Sequence, residues 1–197
     1  MKIVLINSSG RTNGNTDRLL KVLENELIKT AERQLISIDI RHVILSEMEI
    51  KPCRGCRCCF DKGNCPLNDA VVETEALISD CDALVLAGPV YLEDINGIMK
   101  TWIDRMAFHA HRPTYFDKYA IAISTSGAGT SNHSLNTMRN ALMAWGFHIL
   151  STRKFRMGAY MEDKLIEESY TSKLSDMAMS LISSFQNKVA QKPTLFS

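Results

Sequence analysis

The chain has 197 residues, 45% of them hydrophobic, which is enough for one substantial core in a single domain. The 23 Lys and Arg residues nearly balance the 22 Asp and Glu residues, so a net charge of +1 gives no broad field that would attract nucleic acid or an anionic membrane. Its apolar runs are far shorter than the roughly 20 residues that span a bilayer, and the first residues enter a strand pattern without a leader segment. We therefore expect one cytoplasmic domain over residues 1–197, with a flexible tail at 190–197.

Short apolar runs alternate with longer amphipathic stretches along the chain. This periodicity predicts strands at 2–7, 35–45, 83–87, 119–124 and 147–155, and helices at 16–30, 71–79, 98–108, 132–145 and 161–189. Strict alternation with right-handed crossovers predicts a doubly wound α/β fold around a five-stranded parallel sheet.

The loop between the first strand and the first helix, residues 7–16, is rich in hydroxyls, amides and glycine. Backbone N–H groups at a helix N-terminus lack partners within the helix, so such a loop suits a phosphate group. An ordinary polar connection capped by Asn15 or Thr16 fits the composition equally well. The loop lacks the pattern of a Walker A or a dinucleotide-binding motif.

Two further loops follow the third and fourth strands, at 88–97 and 124–130. In a parallel sheet, ligands bind beyond the carboxyl ends of the strands, where these loops and the first one meet. Tyr91 could instead be a core aromatic at a strand end, and the small, glycine-rich turn at 124–130 could be a plain connection.

The motifs in these loops resemble those of the NADPH-dependent FMN reductase and flavodoxin-like oxidoreductase family. Ser8-Ser9-Gly10-Arg11 and Asn13-Gly14-Asn15-Thr16 match its first loop, although Ser8-Ser9-Gly10 replaces the commoner Gly-Ser-Pro, and Pro89-Val90-Tyr91 matches its flavin-edge loop. The resemblance implies strand order 2-1-3-4-5, bound FMN and NAD(P)H as cosubstrate. The FMN contacts that it implies are Ser8, Ser9, Arg11, Asn13, Asn15, Thr16, Pro89, Val90, Tyr91, Leu92, Ser124, Thr125, Ser126, Gly127 and Gly129.

The helix after the second loop carries Lys100, Asp104 and Arg105, which resemble the family's Lys-x-x-x-Asp-Arg pattern. Ion pairs on a helix surface explain this spacing at least as well. We therefore leave these three residues out of the site.

Five of the six cysteines lie between positions 53 and 65. Cys53, Cys56, Cys59 and Cys65 form C-x2-C-x2-C-x5-C, with Cys58 as an extra thiol, and four close thiolates can hold a [4Fe-4S] cluster or a zinc ion. The spacing resembles that of the iron-sulfur flavoproteins, but reduced thiols without a metal remain an alternative. Cys81, at the start of the third strand, is predicted to be buried.

Hydrolase signatures are absent from the sequence, which suits an enzyme whose chemistry resides in a flavin, so we assign no catalytic side chain. The resemblance implies an FMN-dependent oxidoreductase that passes electrons from NAD(P)H, or from a small redox protein such as ferredoxin, to a quinone, a flavin, a nitro compound or another acceptor. An electron-transfer iron-sulfur flavoprotein and a non-enzymatic FMN carrier are the alternatives. The family also implies a homodimer or homotetramer.

Overall fold

A parallel sheet forms the centre of the computed structural model, which describes residues 1–127 and 132–187. Five of its strands pair in the order β2-β1-β3-β5-β6, and the short β4 pairs antiparallel with β3. Without β4 this is the predicted order 2-1-3-4-5, which is confirmed. The strands are β1 (Lys2–Asn7), β2 (Asp39–Ile44), β3 (Ala83–Tyr91), β4 (Asp94–Ile95), β5 (Tyr119–Ser126) and β6 (His148–Arg156).

Helices cover both faces of the sheet. The helices are α1 (Asn15–Arg33), α2 (Cys58–Lys62), α3 (Ala70–Asp80), α4 (Gly97–Arg105), α5 (His133–Ala144) and α6 (Asp163–Gln186). Leu5 of β1 lies in the core shared with α1 and α6, whereas its neighbour Ile6 lies in the core shared with α3, α4 and α5. Each central strand is therefore apolar on both sides, which explains its continuous hydrophobic run. Among the helices described, none has the length and hydropathy to cross a membrane.

Several predicted boundaries of the strands are wrong, because of a backbone turn in one case and strand pairing in another. The second strand begins at Asp39 rather than Leu35, because α1 runs on to Arg33 and Leu35 adopts a left-handed turn conformation with φ 55°. The third strand continues past Ala87 to Tyr91, since Gly88 and Pro89 still pair with β5. The predicted tail at 190–197 lies outside the described residues.

Two more differences from the prediction lie at the end of α4 and within the cysteine loop. The helix predicted at 98–108 ends at Arg105, and a 3-10 turn follows at Ala107–Ala110. The cysteine loop contains the unpredicted helix α2, which is bounded by left-handed residues at both ends, Arg57 at φ 64° and Gly63 at φ 76°. A single turn of this kind has too few residues for a helical period to show in the sequence.

Candidate functional site

The carboxyl ends of β1, β3 and β5 bring the three predicted loops together. The Thr16 hydroxyl at the start of α1 is hydrogen-bonded to the Thr125 hydroxyl at the end of β5, with an Oγ1 to Oγ1 distance of 2.7 Å, and both residues are buried. The side-chain amide of Asn96, before α4, donates to the carbonyl oxygen of Ser8 at 2.5 Å. The second and third loops are thus each tied to the first loop by a hydrogen bond between buried residues.

The first loop is shaped by its own polar groups. The Ser9 N–H donates to Asn7 Oδ1 at 2.9 Å, and the Arg11 N–H donates to Ser9 Oγ at 3.2 Å. Gly14 occupies the N-cap of α1, and no side chain caps this helix. The N–H groups of its first turn are therefore available to an anion, and the alternative of a helix capped by Asn15 or Thr16 is wrong.

Ser8 provides a second indication of an anion site. It is fully buried, and its hydroxyl has no hydrogen-bond partner within the part of the chain that the structure describes. Gly88 lies directly against it, since a Cβ atom at that position would come within 2.4 Å of Ser8 Oγ. A buried hydroxyl without a partner is costly, so this group fits the phosphate of the FMN that the family resemblance implies.

Other side chains predicted in the first loop are turned elsewhere. Arg11 donates to the carbonyl of Ala159 at 3.3 Å, Asn15 donates to those of Met157 and Gly158 at 3.3 and 3.2 Å, and the Asn13 amide oxygen accepts from Lys21. Arg11 and Asn15 therefore hold the segment 157–161 against the first loop. This segment was missed by the sequence prediction, and its only signal is that it follows the carboxyl end of β6.

The second loop places an aromatic side chain in solvent at the edge of the site. Tyr91 is 52% exposed and Leu92 is 99% exposed, while Pro89 and Val90 are half-buried. The interpretation of Tyr91 as a core aromatic is therefore wrong. Leu92 has a left-handed φ of 44°, so the chain turns sharply here before β4 pairs back onto β3.

The third loop is more deeply buried at its start. Ser124, Thr125 and Ser126 are all buried, and the Ser124 hydroxyl is hydrogen-bonded to that of Ser134 at 2.9 Å. Gly127 is exposed, and a Cβ atom there would lie 3.5 Å from the carbonyl oxygen of Gly158. Gly129 lies outside the described residues.

The four predicted metal-binding cysteines lie in one loop between β2 and α3. Burial, and then the negative charges of Cys65, Cys53 and Cys56, raise the pKa of the Cys59 thiol. Cys53 and Cys56 are exposed, and Cys59 and Cys65 are half-buried. Soft thiol donors in this number fit an iron-sulfur cluster or zinc, although within residues 1–127 and 132–187 no three His, Cys, Asp or Glu side chains are already gathered closely enough to hold an ion.

The two remaining cysteines, Cys58 and Cys81, differ in their surroundings. The Cys58 thiol contacts Cys56, which raises the pKa of Cys58, while hydrogen bonds from the Cys58 backbone and thiol lower the pKa of Cys56. Cys81 is 2% exposed, and burial raises its pKa to about 12. The prediction of a buried Cys81 is confirmed.

The residues after the second loop divide into two kinds. Lys100 and Asp104 form the expected surface ion pair, with an Nζ to Oδ1 distance of 2.6 Å. Arg105 is only 2% exposed and pairs with Asp69, so a surface position is wrong for this residue. One feature of the sequence indicates this burial: Arg105 is a basic residue on an otherwise apolar face of α4.

Residues 1–162 match the model of the NADPH-dependent FMN reductase family. The chain belongs to this family. It is therefore a flavin-dependent oxidoreductase from a family whose members bind FMN.

The relatives of the chain point to the same group of proteins. An iron-sulfur flavoprotein of Archaeoglobus fulgidus is 30% identical over 98% of this chain and 84% of its own length. An iron-sulfur flavoprotein of Clostridioides difficile is 25% identical over 95% of this chain and 81% of its own length. The solved structure of a flavodoxin from the domain Archaea matches 94% of this chain and 99% of its own chain at 11% identity with a TM-score of 0.56, which shows the shared fold.

Proposed function

We propose that this protein is an FMN-dependent oxidoreductase that takes electrons from NAD(P)H and passes them to a quinone, a flavin, a nitro compound or a similar small acceptor. The observation that carries the proposal is the buried Ser8 hydroxyl without a partner beside the uncapped N-terminus of α1. The family match supports the same cofactor.

The side chains have distinct tasks in this proposal. Ser8 donates its hydroxyl proton to a phosphate oxygen, and the first N–H groups of α1 donate to the others. The Thr16–Thr125 hydrogen bond fixes the distance between the first and third loops, and Tyr91 presents its ring to the flavin edge. Bound FMN supplies the electron and hydride transfer, while the protein binds and orients it.

Steady-state oxidation of NADPH and of NADH, with menadione or ferricyanide as acceptor, tests the activity. We expect turnover with at least one nucleotide in the FMN-loaded protein and none after FMN is removed. A loaded protein that oxidises neither nucleotide with either acceptor would instead be a flavodoxin-like carrier.

A second candidate function is electron transfer through a [4Fe-4S] cluster held by Cys53, Cys56, Cys59 and Cys65. Two observations favour it. All four cysteines lie in one short loop, and two relatives that match nearly the whole chain are named iron-sulfur flavoproteins.

Iron and sulfide analysis of anaerobically purified protein, together with its visible absorption spectrum, tests the cluster. We expect Cys59→Ser to lose the iron and Cys81→Ser to retain it, because Cys81 lies in the core and outside the loop. A wild-type protein with flavin bands alone and no bound iron would rule the cluster out.

A further inference from the structure

One buried guanidinium closes the base of the cysteine loop. The loop, residues 52–66, begins after Lys51 and ends before Leu67, and we call these two flanking residues its neck. Arg105 of α4 donates from Nη1 to the Lys51 carbonyl at 2.8 Å and from Nη2 to the Leu67 carbonyl at 3.3 Å. A single side chain therefore bonds both ends of the loop.

Asp69 holds this guanidinium in place. Arg105 Nη1 and Nη2 donate to Asp69 Oδ2 and Oδ1 at 2.5 and 3.0 Å, and the backbone N–H of Lys51 donates to Oδ2 at 2.9 Å. The two side chains are 0% and 1% exposed. The bidentate geometry leaves the guanidinium little freedom to move.

Core stability alone does not explain a buried ion pair, because well-packed apolar side chains stabilise a core as well or better. Burial disfavours the charged form of Arg105, but hydrogen bonding to Asp69 outweighs it and raises the pKa of Arg105. Its Nε atom has no hydrogen-bond partner among the described residues. The charged guanidinium thus uses both of its Nη atoms to bond Asp69 and the two sides of the neck.

The geometry points to Arg105 as the positioning residue of the cysteine loop, because its guanidinium bonds both sides of the neck and is itself held by Asp69. Both ends of the loop are then fixed to α4, while Cys53 and Cys56 lie exposed. This role does not depend on the second candidate function.

Three full-length variants test the clamp at the neck. Arg105→Gln removes both the cation and the bridge, Arg105→Lys keeps the cation but cannot bond Lys51 and Leu67 at once, and Lys100→Gln on the same helix is the matched control.

Hydrogen exchange at the neck gives a readout that needs no bound metal. The amides of Lys51 and Val71 donate to Asp69, and the Ala70 amide donates to the Glu49 carbonyl. We expect these amides to exchange at least about tenfold faster in Arg105→Gln and Arg105→Lys, and at the wild-type rate in Lys100→Gln. Equal protection in all four proteins would overturn the proposal, and if wild-type protein takes up no iron, the cluster function fails while this exchange still decides the role of Arg105.

Discussion

Ser8 fits a bound phosphate better than any charged residue in the first loop does. Its hydroxyl is fully buried without a partner, while Arg11 and Asn15, the more obvious candidates, bond to the 157–161 segment. An unsatisfied buried hydroxyl costs roughly 1–3 kcal/mol, a cost that a bound phosphate would remove. We therefore expect the protein to bind FMN partly because ligand binding satisfies this group.

Replacement of Ser8 by Ala should separate FMN binding from folding. We expect the FMN affinity to fall by about tenfold or more, since the variant loses a charge-assisted hydrogen bond. The free energy of unfolding without FMN should stay the same or increase, because the change deletes an unsatisfied polar group. Fluorescence titration with FMN and urea unfolding of the cofactor-free protein measure the two quantities.

Thr30→Val is the matched control for this prediction. Thr30 also carries a buried hydroxyl without a partner, but it lies near the far end of α1, about 20 Å from Thr16 along the helix. Its replacement should leave the FMN affinity unchanged. A Ser8→Ala protein with wild-type FMN affinity would contradict the proposed position of the phosphate.

A substitution at Tyr91 provides a second test of the proposed FMN site. Because its side chain is 52% exposed, Tyr91→Leu should change the free energy of unfolding by less than about 0.5 kcal/mol. Loss of the ring beside the flavin should increase the fluorescence of bound FMN. The matched change Phe116→Leu, at an exposed aromatic that precedes β5 at the opposite edge of the sheet, should leave that fluorescence unchanged. An equal effect of both variants would argue against contact between Tyr91 and the flavin.

Sequence reasoning found the loops of the site more reliably than the individual side chains. Serine and glycine composition indicated the first and third loops, but it could not show that Asn96 ties Ser8 to the second loop. Arg105 was missed because its partner Asp69 is 36 residues away, and spacing within a helix shows only local pairs. Contacts between distant segments require the fold.

At the level of elements, hydrophobic periodicity predicted the five main strands and placed helices between them. It failed where pairing extends an element, as at Gly88 and Pro89, which continue β3 because β5 lies alongside. It also failed in the cysteine loop, where α2 depends on left-handed turns at its two ends. Strand pairing determines the first boundary and backbone turns determine the second, and neither shows in the hydrophobic period.

Asp69 links α3, α4 and the neck, so its titration should affect stability. Burial opposes its ionisation, but hydrogen bonds from Arg105, Lys51 and Val71 outweigh this, and the pKa of Asp69 lies below its ordinary value. A depressed carboxyl pKa contributes stability above the unfolded pKa of about 3.9 that is lost as the pH falls through the folded value. Wild-type protein should therefore lose this contribution below about pH 4.

Asp69→Asn should lower the free energy of unfolding at pH 7 by about 3 kcal/mol, because it leaves the buried Arg105 charge without its counterion. The difference from wild type should narrow as the pH falls below about 4, because Asp69 is protonated first in the unfolded chain and at still lower pH in the folded protein. Urea unfolding between acidic and neutral pH measures both effects, with Asp104→Asn at the exposed pair as the control. A difference that is constant with pH would exclude a role for ionised Asp69.

For the whole molecule, alternation of strands and helices was enough to predict the parallel sheet, whereas its strand order was predicted from the family resemblance. The family match ends at residue 162, and α6, which begins at Asp163, nevertheless packs against α1 in one of the two cores. The architecture therefore extends beyond the matched segment, while the residues of the proposed site lie within it.

Thermal stability should report on the phosphate site of the whole protein. At a concentration 100-fold above its Kd, FMN should stabilise the native state by about 2.7 kcal/mol and raise Tm by roughly 5–10 °C. Riboflavin at the same concentration should raise Tm less, because it lacks the phosphate that Ser8 and the N-terminus of α1 bind. Equal shifts by the two compounds would contradict this assignment; scanning calorimetry of the cofactor-free protein provides the comparison.

Anaerobic reduction of the loaded protein tests the central proposal most directly. The cofactor-free chain is titrated with FMN to one equivalent, and NADPH and NADH are then added in separate samples while the visible flavin band is followed. We expect one FMN to bind per chain and its band to bleach fully with at least one of the nucleotides. A chain that binds no FMN, or bound FMN that neither nucleotide reduces, would contradict an NAD(P)H-dependent flavin oxidoreductase.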